Sequence, residues 1–380
     1  MKTFTARRLL TPQGSIDSPI LTVDSEGMIA SIETGAPNAD ESTLTAAFFD
    51  VHVHGAAGHD VMEGSAEALA RVGGFLATKG VAYYLATTVT ASIERTLRAL
   101  DGIASAIEAG GGDGARAVGI HLEGPFISHA KRGVHPVAEI QEPSVALFER
   151  MQEAARGQIK LMTIAPEMPG ALELIRHATD AGVRVSVGHS DATAAETRAG
   201  IVAGATSATH TFNAMRRLDH REVGIAGVVL DAEEMYAELI CDGIHVAPEF
   251  VRMWMRTKGE ERGILVTDGI SATGEPDGEY MLGEFAVMLR DGRCLLASDL
   301  QRGVETLAGS VLTMDRAVDN LRRFTGVELA TAVRLASRNP ARMMGLGGLV
   351  EIGVGRMANF NVYSPDGALL KTILRGRVAS

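Results

Sequence analysis

The chain has 380 residues, enough for one large domain with a smaller one beside it. Its 46% apolar and 22% charged residues exclude a disordered or fibrous class. A formal net charge of −11 argues against nucleic acid or an anionic membrane as partner, and no apolar run approaches the length of a bilayer span.

The N-terminus carries Lys2, Arg7 and Arg8 but no apolar stretch of signal-peptide type. The two cysteines, Cys241 and Cys294, are far apart and read as small buried thiols in a reducing compartment, so a cytoplasmic protein is expected. Short strands are predicted around Phe4-Thr5-Ala6, Ile20–Val23 and Met28–Ile32, with a turn at Asp24-Ser25-Glu26-Gly27. The last 30 residues repeat this character at Asn359–Tyr363 and Leu370–Leu374. A small β-sandwich domain built from both termini, residues 1–46 plus 348–380, is therefore expected around a domain over 47–347.

The middle alternates. Apolar strand-like runs centre on residues 50, 85, 119, 162, 186, 208, 239 and 266. Amphipathic helical patterns lie between most of them, at Ala66–Lys79, Ile93–Ala109, Pro143–Ala155, Gly170–Ala181, Thr193–Ala203 and Pro248–Lys258. This alternation predicts an α/β fold, a (β/α)8 TIM-like barrel, with a doubly wound open sheet as the competing architecture. The 43 glycines exceed the ordinary share of about 7% and suit many short loops. An inserted hairpin over Gly278–Ala297 and two helices, Ser310–Phe324 and Leu329–Ser337, complete the chain.

Ionisable residues cluster at the ends of these runs. His52 and His54 sit at alternate positions and so face one side of the first strand. Glu123 ends the third, His189 the fifth, His210 the sixth and Asp268 the eighth. Taken singly, each is as readily a satisfied buried polar group. Together they converge on the carboxyl-end mouth of a barrel, where active sites of that fold lie. Imidazoles and carboxylates in that mixture suit a borderline divalent cation, zinc before iron.

The chain resembles the amidohydrolase superfamily. The residues that carry the resemblance are Phe49-Asp50-Val51-His52-Val53-His54-Gly55, Gly119-Ile120-His121-Leu122-Glu123-Gly124-Pro125-Phe126, Gly188-His189-Ser190, His210-Thr211-Phe212-Asn213-Ala214-Met215, Asp242-Gly243-Ile244-His245 and Val266-Thr267-Asp268. The Glu-Gly-Pro and Phe-Asn-Ala-Met stretches are similar to those of its deacetylases of phosphorylated N-acetyl amino sugars. The resemblance implies deacetylation of N-acetylglucosamine 6-phosphate to glucosamine 6-phosphate and acetate. It gives Glu123, His189 and His210 to a primary metal ion and His52 and His54 to a second, with Glu123 as bridge. Some relatives lack the strand-one histidines, so one or two ions per subunit both remain open. Lys160, at the start of its strand, is badly placed to bridge.

The same resemblance makes Asp268 the general base. A carboxylate beside an activated water takes its proton and hands it to the leaving amine. His135 is assigned to the acetyl oxygen and His245 to the sugar or phosphate. The Asn213 side chain and the Ala214 N–H are assigned as in-chain donors. Arg221 is assigned to phosphate in the neighbouring subunit of a homodimer. His121 alternates with Glu123 and would line the site, whereas His59, His129, His177 and His220 read as surface or supporting residues. Two other readings keep the scaffold: a hydrolase of a cyclic amide or nucleobase, which has no use for Arg221, and an inactive sugar-phosphate sensor, against which the intact Asp268 argues.

Overall fold

The computed structural model describes residues 1–36, 41–110 and 112–379. Residues 37–40 and 380, which belong to the expected terminal segments, lie outside the described residues, as does residue 111. Eight parallel strands form the centre: β1 (Phe48–Val53), β2 (Val81–Thr88), β3 (Arg116–Glu123), β4 (Ile159–Ile164), β5 (Arg184–Val187), β6 (Ser207–Ala208), β7 (Tyr236–Ile240) and β8 (Gly263–Val266). They pair in chain order. The circle closes where the Asp268 N–H donates to the His52 carbonyl at 2.9 Å and the His54 N–H donates to the Gly269 carbonyl at 2.8 Å. The fold is the expected (β/α)8 barrel and not the open sheet. β1 and β2 are buried along their whole lengths. One face fills the barrel and the other meets the helices, so these strands read as continuous apolar runs.

Helices α1 (Ala66–Thr78), α2 (Ile93–Glu108), α3 (Val145–Ala154), α4 (Ala171–Asp180), α5 (Ala194–Ala203), α6 (Gly224–Asp231) and α7 (Pro248–Arg262) follow the first seven strands. Their starts are written locally. The hydroxyls of Ser65, Ser92 and Ser144 accept the N–H groups of Ala68, Arg95 and Leu147, and Thr193 forms a reciprocal cap with Glu196. Each such cap contributes about 1 kcal/mol. α6 was not expected from sequence. Its Ile225, Ala226, Val228, Val229 and Leu230 are all buried, leaving no polar face and hence no amphipathic period to read.

Beyond β8, the segment expected as a hairpin forms three antiparallel strands, Gly278–Leu282, Phe285–Arg290 and Arg293–Leu296. The second reversal rests on Asp291 and Gly292, both left-handed at φ 51° and 73°. Leu282, Val287 and Leu289 from this insertion pack with Val134 and Ile270, anchoring it at the strand ends. α8 (Met314–Thr325), α9 (Leu329–Ala336) and the unexpected α10 (Arg338–Met343) close the barrel domain's helical layer. Pro340 reads as a breaker, yet it lies in the first turn of α10, where no intrahelical N–H is needed.

Strands from both termini build the β-sandwich. Lys2–Thr5, Pro19–Val23 and Ile29–Thr34 form one sheet. Thr43–Ala46 pairs with Arg8–Thr11 on one side and Phe360–Tyr363 on the other, in the second. Leu21, Val23 and Ile29 of the first sheet share a core with Leu9, Leu44, Phe360 and Ile373 of the second. Ala46 therefore ends a sandwich strand, although in sequence it runs into β1 without a break. Among the described residues, no helix is long and apolar enough to cross a membrane.

Candidate active site

The barrel places six side chains around one opening. His52 lies in β1 and His54 one residue past it; Glu123 ends β3; His189, His210 and Asp268 each lie two residues beyond β5, β6 and β8. These last three turn sharply into their loops, with φ of 47°, 29° and 51°. A left-handed backbone costs a non-glycine residue roughly 1–2 kcal/mol, and such strain gathers at functional sites. Glycines follow His54 and Glu123 for a related reason. A Cβ on Gly55 would sit 2.2 Å from the His59 carbonyl oxygen, and one on Gly124 (φ 74°) would sit 2.0 Å from Thr90 Oγ1.

Two groups of ligand atoms face each other. His52, His54 and Asp268 form one and Glu123, His189 and His210 the other, with the atoms of each within 4.8 Å of one another and all six residues buried. Asp268 Oδ1 is 3.4 Å from His52 Nε2 and 3.2 Å from His54 Nε2. Glu123 lies between the groups. Its Oε1 is 3.3 Å from the Nε2 of His52 and of His189 and 3.2 Å from that of His210, while its Oε2 is 3.2 Å from His54 Nε2.

The outer nitrogens of two rings are held by backbone. The Thr87 carbonyl accepts from His54 Nδ1 at 3.0 Å, and the Lys131 carbonyl accepts from His189 Nδ1 at 3.0 Å. A carbonyl accepts only from N–H, so in both rings Nδ1 carries a proton and Nε2 is the atom turned toward the centre, where it can ligate an ion.

This donor set fits a divalent ion. Imidazole nitrogens and carboxylate oxygens converge, and no lysine or arginine among the described residues lines the cavity. Without a cation the site compensates with protons. Burial lowers the affinity of His52 and His54 for protons, but the carboxylates of Glu123 and Asp268 more than offset it. His52 is raised well above its ordinary value and His54 to about 9. Burial raises Asp268, yet His52 and His54 bring it down to about 2. Glu123, also raised by burial, is held well below its usual range by the surrounding imidazoles.

A cavity of about 190 Å³ opens onto these groups. Val89, Val134, Leu282 and Leu307 form its apolar wall, and His135, Asn213, Ala214 and His245 its polar one. Thr90 orients His135. The Thr90 N–H donates to His135 Nδ1 at 3.3 Å, and the Thr90 hydroxyl lies 2.7 Å from the same atom. Nδ1 is thus the acceptor, so the ring proton is on Nε2, which lies 3.7 Å from Glu123 Oε2. Burial, then the neighbouring His189, keeps His135 well below its ordinary pKa and therefore neutral.

His245 Nδ1 lies 2.6 Å from Asp242 Oδ2, and Asp242 Oδ1 accepts the N–H groups of Ile244 and His245. Burial lowers His245, but the Asp242 carboxylate raises it overall. Asn213 Nδ2 donates to the His210 carbonyl at 3.2 Å, and Ala214 is left-handed at φ 49°.

The remaining candidates lie elsewhere. Arg221 is exposed on the loop between β6 and α6 and does not line the cavity. Arg216, from the same basic cluster, is committed to Asp191 at 3.1 Å. Lys160 points away and donates to the Gly157 carbonyl at 2.7 Å. His121 packs beneath His52, ring centroids 4.7 Å apart, with its Nε2 2.7 Å from Thr163 Oγ1. Sequence reasoning overlooked Thr90, which no local pattern marks. It also overlooked Glu238, for which a signal existed: a carboxylate inside the apolar strand Ala237-Glu238-Leu239-Ile240.

The sequence profile of the Amidohydrolase family matches residues 43–379. The chain is 38% identical to an N-acetylgalactosamine-6-phosphate deacetylase of Escherichia coli O157:H7, with 99% of this chain and 98% of that one covered. It is 36% identical to an N-acetylglucosamine-6-phosphate deacetylase of Vibrio furnissii, with 99% and 94% covered. Its fold is similar to an Asp-to-Ala mutant of the N-acetyl-D-glucosamine-6-phosphate deacetylase of Mycobacterium smegmatis in complex with N-acetyl-D-glucosamine-6-phosphate. That structure has a TM-score of 0.92 and 34% identity, over 99% of this chain and 98% of that one. Strand order, ligand geometry and sequence agree: the chain belongs to the amidohydrolase family.

Proposed function

We propose that this chain hydrolyses the acetamido group of an N-acetylhexosamine 6-phosphate, N-acetylglucosamine 6-phosphate first, releasing acetate and the free amino sugar phosphate. One observation carries the reading. The carboxylate Asp268, the two ligand groups and the N–H of His135 face a single cavity of about 190 Å³. The relatives named above act on amides of this kind.

A divalent ion, zinc before iron, would supply activation of a water molecule near neutral pH and polarisation of the amide carbonyl. Glu123, His189 and His210 would hold one ion and His52 and His54 a second, with Glu123 shared. Asp268, ionised at neutral pH, takes the proton of the attacking water and returns it to the departing amine. His135 donates its Nε2–H to the acetyl oxygen as negative charge grows there. His245, whose protonated form the Asp242 carboxylate favours, and the amide and backbone donors of Asn213 and Ala214 address the sugar phosphate.

Among the described residues, no arginine or lysine lines the cavity. A phosphate dianion calls for more positive charge than His245 supplies, which supports a homodimer in which Arg221 reaches the neighbouring site. The two cysteines are buried free thiols, in keeping with a cytoplasmic enzyme.

A second reading changes one stereocentre. The relative at 38% identity is named for the galactosamine epimer. Acetate release from N-acetylglucosamine 6-phosphate, N-acetylgalactosamine 6-phosphate and unphosphorylated N-acetylglucosamine, with zinc-loaded protein, tests both. A kcat/KM led by the glucosamine phosphate is expected. Preference for the galactosamine phosphate replaces it with the second reading, and indifference to phosphate overturns both.

A further inference from the structure

We infer that Glu238 is a positioning residue that fixes His52 as a metal ligand, and that uptake of the second ion depends on it; this rests on the two-ion reading above. Glu238 lies in β7, fully buried, between the equally buried Ala237 and Leu239. Its Oε2 is 3.4 Å from His52 Nδ1 and accepts the His210 N–H at 3.3 Å, while its Oε1 has no hydrogen-bond partner. No lysine or arginine is paired with it among the described residues. A buried carboxylate so poorly matched is costly. As an acceptor for one backbone N–H, a neutral side chain would serve as well. A carboxylate is explained where positive charge must be met.

That charge would come through His52. Of the other ligand imidazoles, His54 and His189 rest on backbone carbonyls at 3.0 Å, and His210 Nδ1 has no hydrogen-bond partner. His52 has no such carbonyl. Of the rings packed beside it, His121 is engaged with Thr163 at 2.7 Å and with Thr87 at 3.4 Å. With an ion at His52 Nε2, Glu238 would be the acceptor that keeps the remaining ring proton on Nδ1. A carboxylate behind a ligating imidazole also raises the basicity of the ligating nitrogen, and losing such a partner weakens metal binding by about 10- to 100-fold. Because the same carboxylate holds the His210 backbone, it ties one ring from each ligand group to β7.

The test compares wild type, Glu238→Gln and Glu238→Leu after chelator stripping and zinc reloading. The readouts are elemental analysis and competition titration against a chromogenic chelator, with the melting temperature showing that each variant folds. Wild type is expected to hold two ions. Glu238→Leu is expected to hold one. Glu238→Gln keeps an acceptor and is expected to hold two, the weaker about 10- to 100-fold weaker still. Two ions at wild-type affinity in Glu238→Leu overturns the role of Glu238 alone. One ion in wild type overturns the two-ion reading and the role with it. Should Glu238→Leu not fold, unweakened binding of both ions by Glu238→Gln overturns the inference by itself.

Discussion

Asp268 Oδ1 and His54 Nε2 lie 3.2 Å apart across the seam where the barrel closes. Closure of β8 onto β1 creates this pair, and the pair puts the carboxylate proposed to accept the proton beside a ring held by the Thr87 carbonyl.

Asp268→Asn keeps the shape of the side chain and removes its ability to take a proton. The expected loss in kcat is about 10²- to 10⁴-fold with zinc content unchanged. Acetate release and metal analysis on the same preparation check this; activity near wild type removes Asp268 from the mechanism.

His135→Ala deletes the donor assigned to the acetyl oxygen. A fall of about 10²- to 10³-fold in kcat is expected, with KM little changed because the interaction strengthens as the oxyanion forms. His135→Gln retains a donor on a side chain of similar length and should recover part of the loss. Equal kcat and a raised KM in His135→Ala would instead make this residue a ground-state contact.

The metal-free protein has a predictable pH profile. His54 is raised from 6.5 to about 9 on folding, so its contribution is full below pH 6.5 and is lost as pH rises through about 9. Asp268 is lowered from 3.8 to about 2, so its contribution is full above pH 3.8 and is lost as pH falls through about 2. The site therefore adds most to metal-free stability between about pH 4 and pH 6.5. Melting temperatures of chelator-treated protein should decline from pH 6.5 to 9, and a metal-free curve flat across that range contradicts the pairing. In the same range zinc must displace the proton on His54, so zinc affinity should climb with pH. Calorimetry in buffers of different ionisation enthalpy reports that proton release.

Arg221→Ala should raise KM for the phosphorylated substrate by about 10- to 100-fold, the worth of a charge-assisted hydrogen bond. It should leave turnover of the unphosphorylated sugar alone. If Arg221 acts in the neighbouring subunit, mixed dimers of Arg221→Ala and Asp268→Asn contain one intact composite site, and part of the activity returns on mixing. No recovery on mixing, with dimers exchanging, assigns Arg221 to its own subunit or to none.

Much of this was legible before the structure. The eight strand runs were readable because parallel strands buried on both faces are short continuous apolar stretches. The six strand-end residues were readable because each run stops abruptly at a polar residue and a loop. α6 was not, because Gly224–Asp231 buries nearly all of its surface and shows no amphipathic period. The third strand of the insertion was hidden behind a tight turn at Asp291 and Gly292. Glu238 stood in plain view, but nothing nearby in sequence says whether a carboxylate within an apolar strand points into the barrel.

What the sequence alone determined is local: which segments are strands or helices, where they start, and which residues stand at their ends. Hydroxyl caps, apolar periodicity and glycine positions act over a few residues and are complete in the linear order. The tertiary structure decided which of those ends meet. The contact between His52 and Glu238 spans 186 residues, and the Gly283 N–H reaches Asp60 across 223. Such pairings depend on strand register and on closure of the circle. These are properties of the whole barrel, which is why Thr90 behind His135, Leu282 in the cavity wall and Glu238 behind His52 appear only once it has closed.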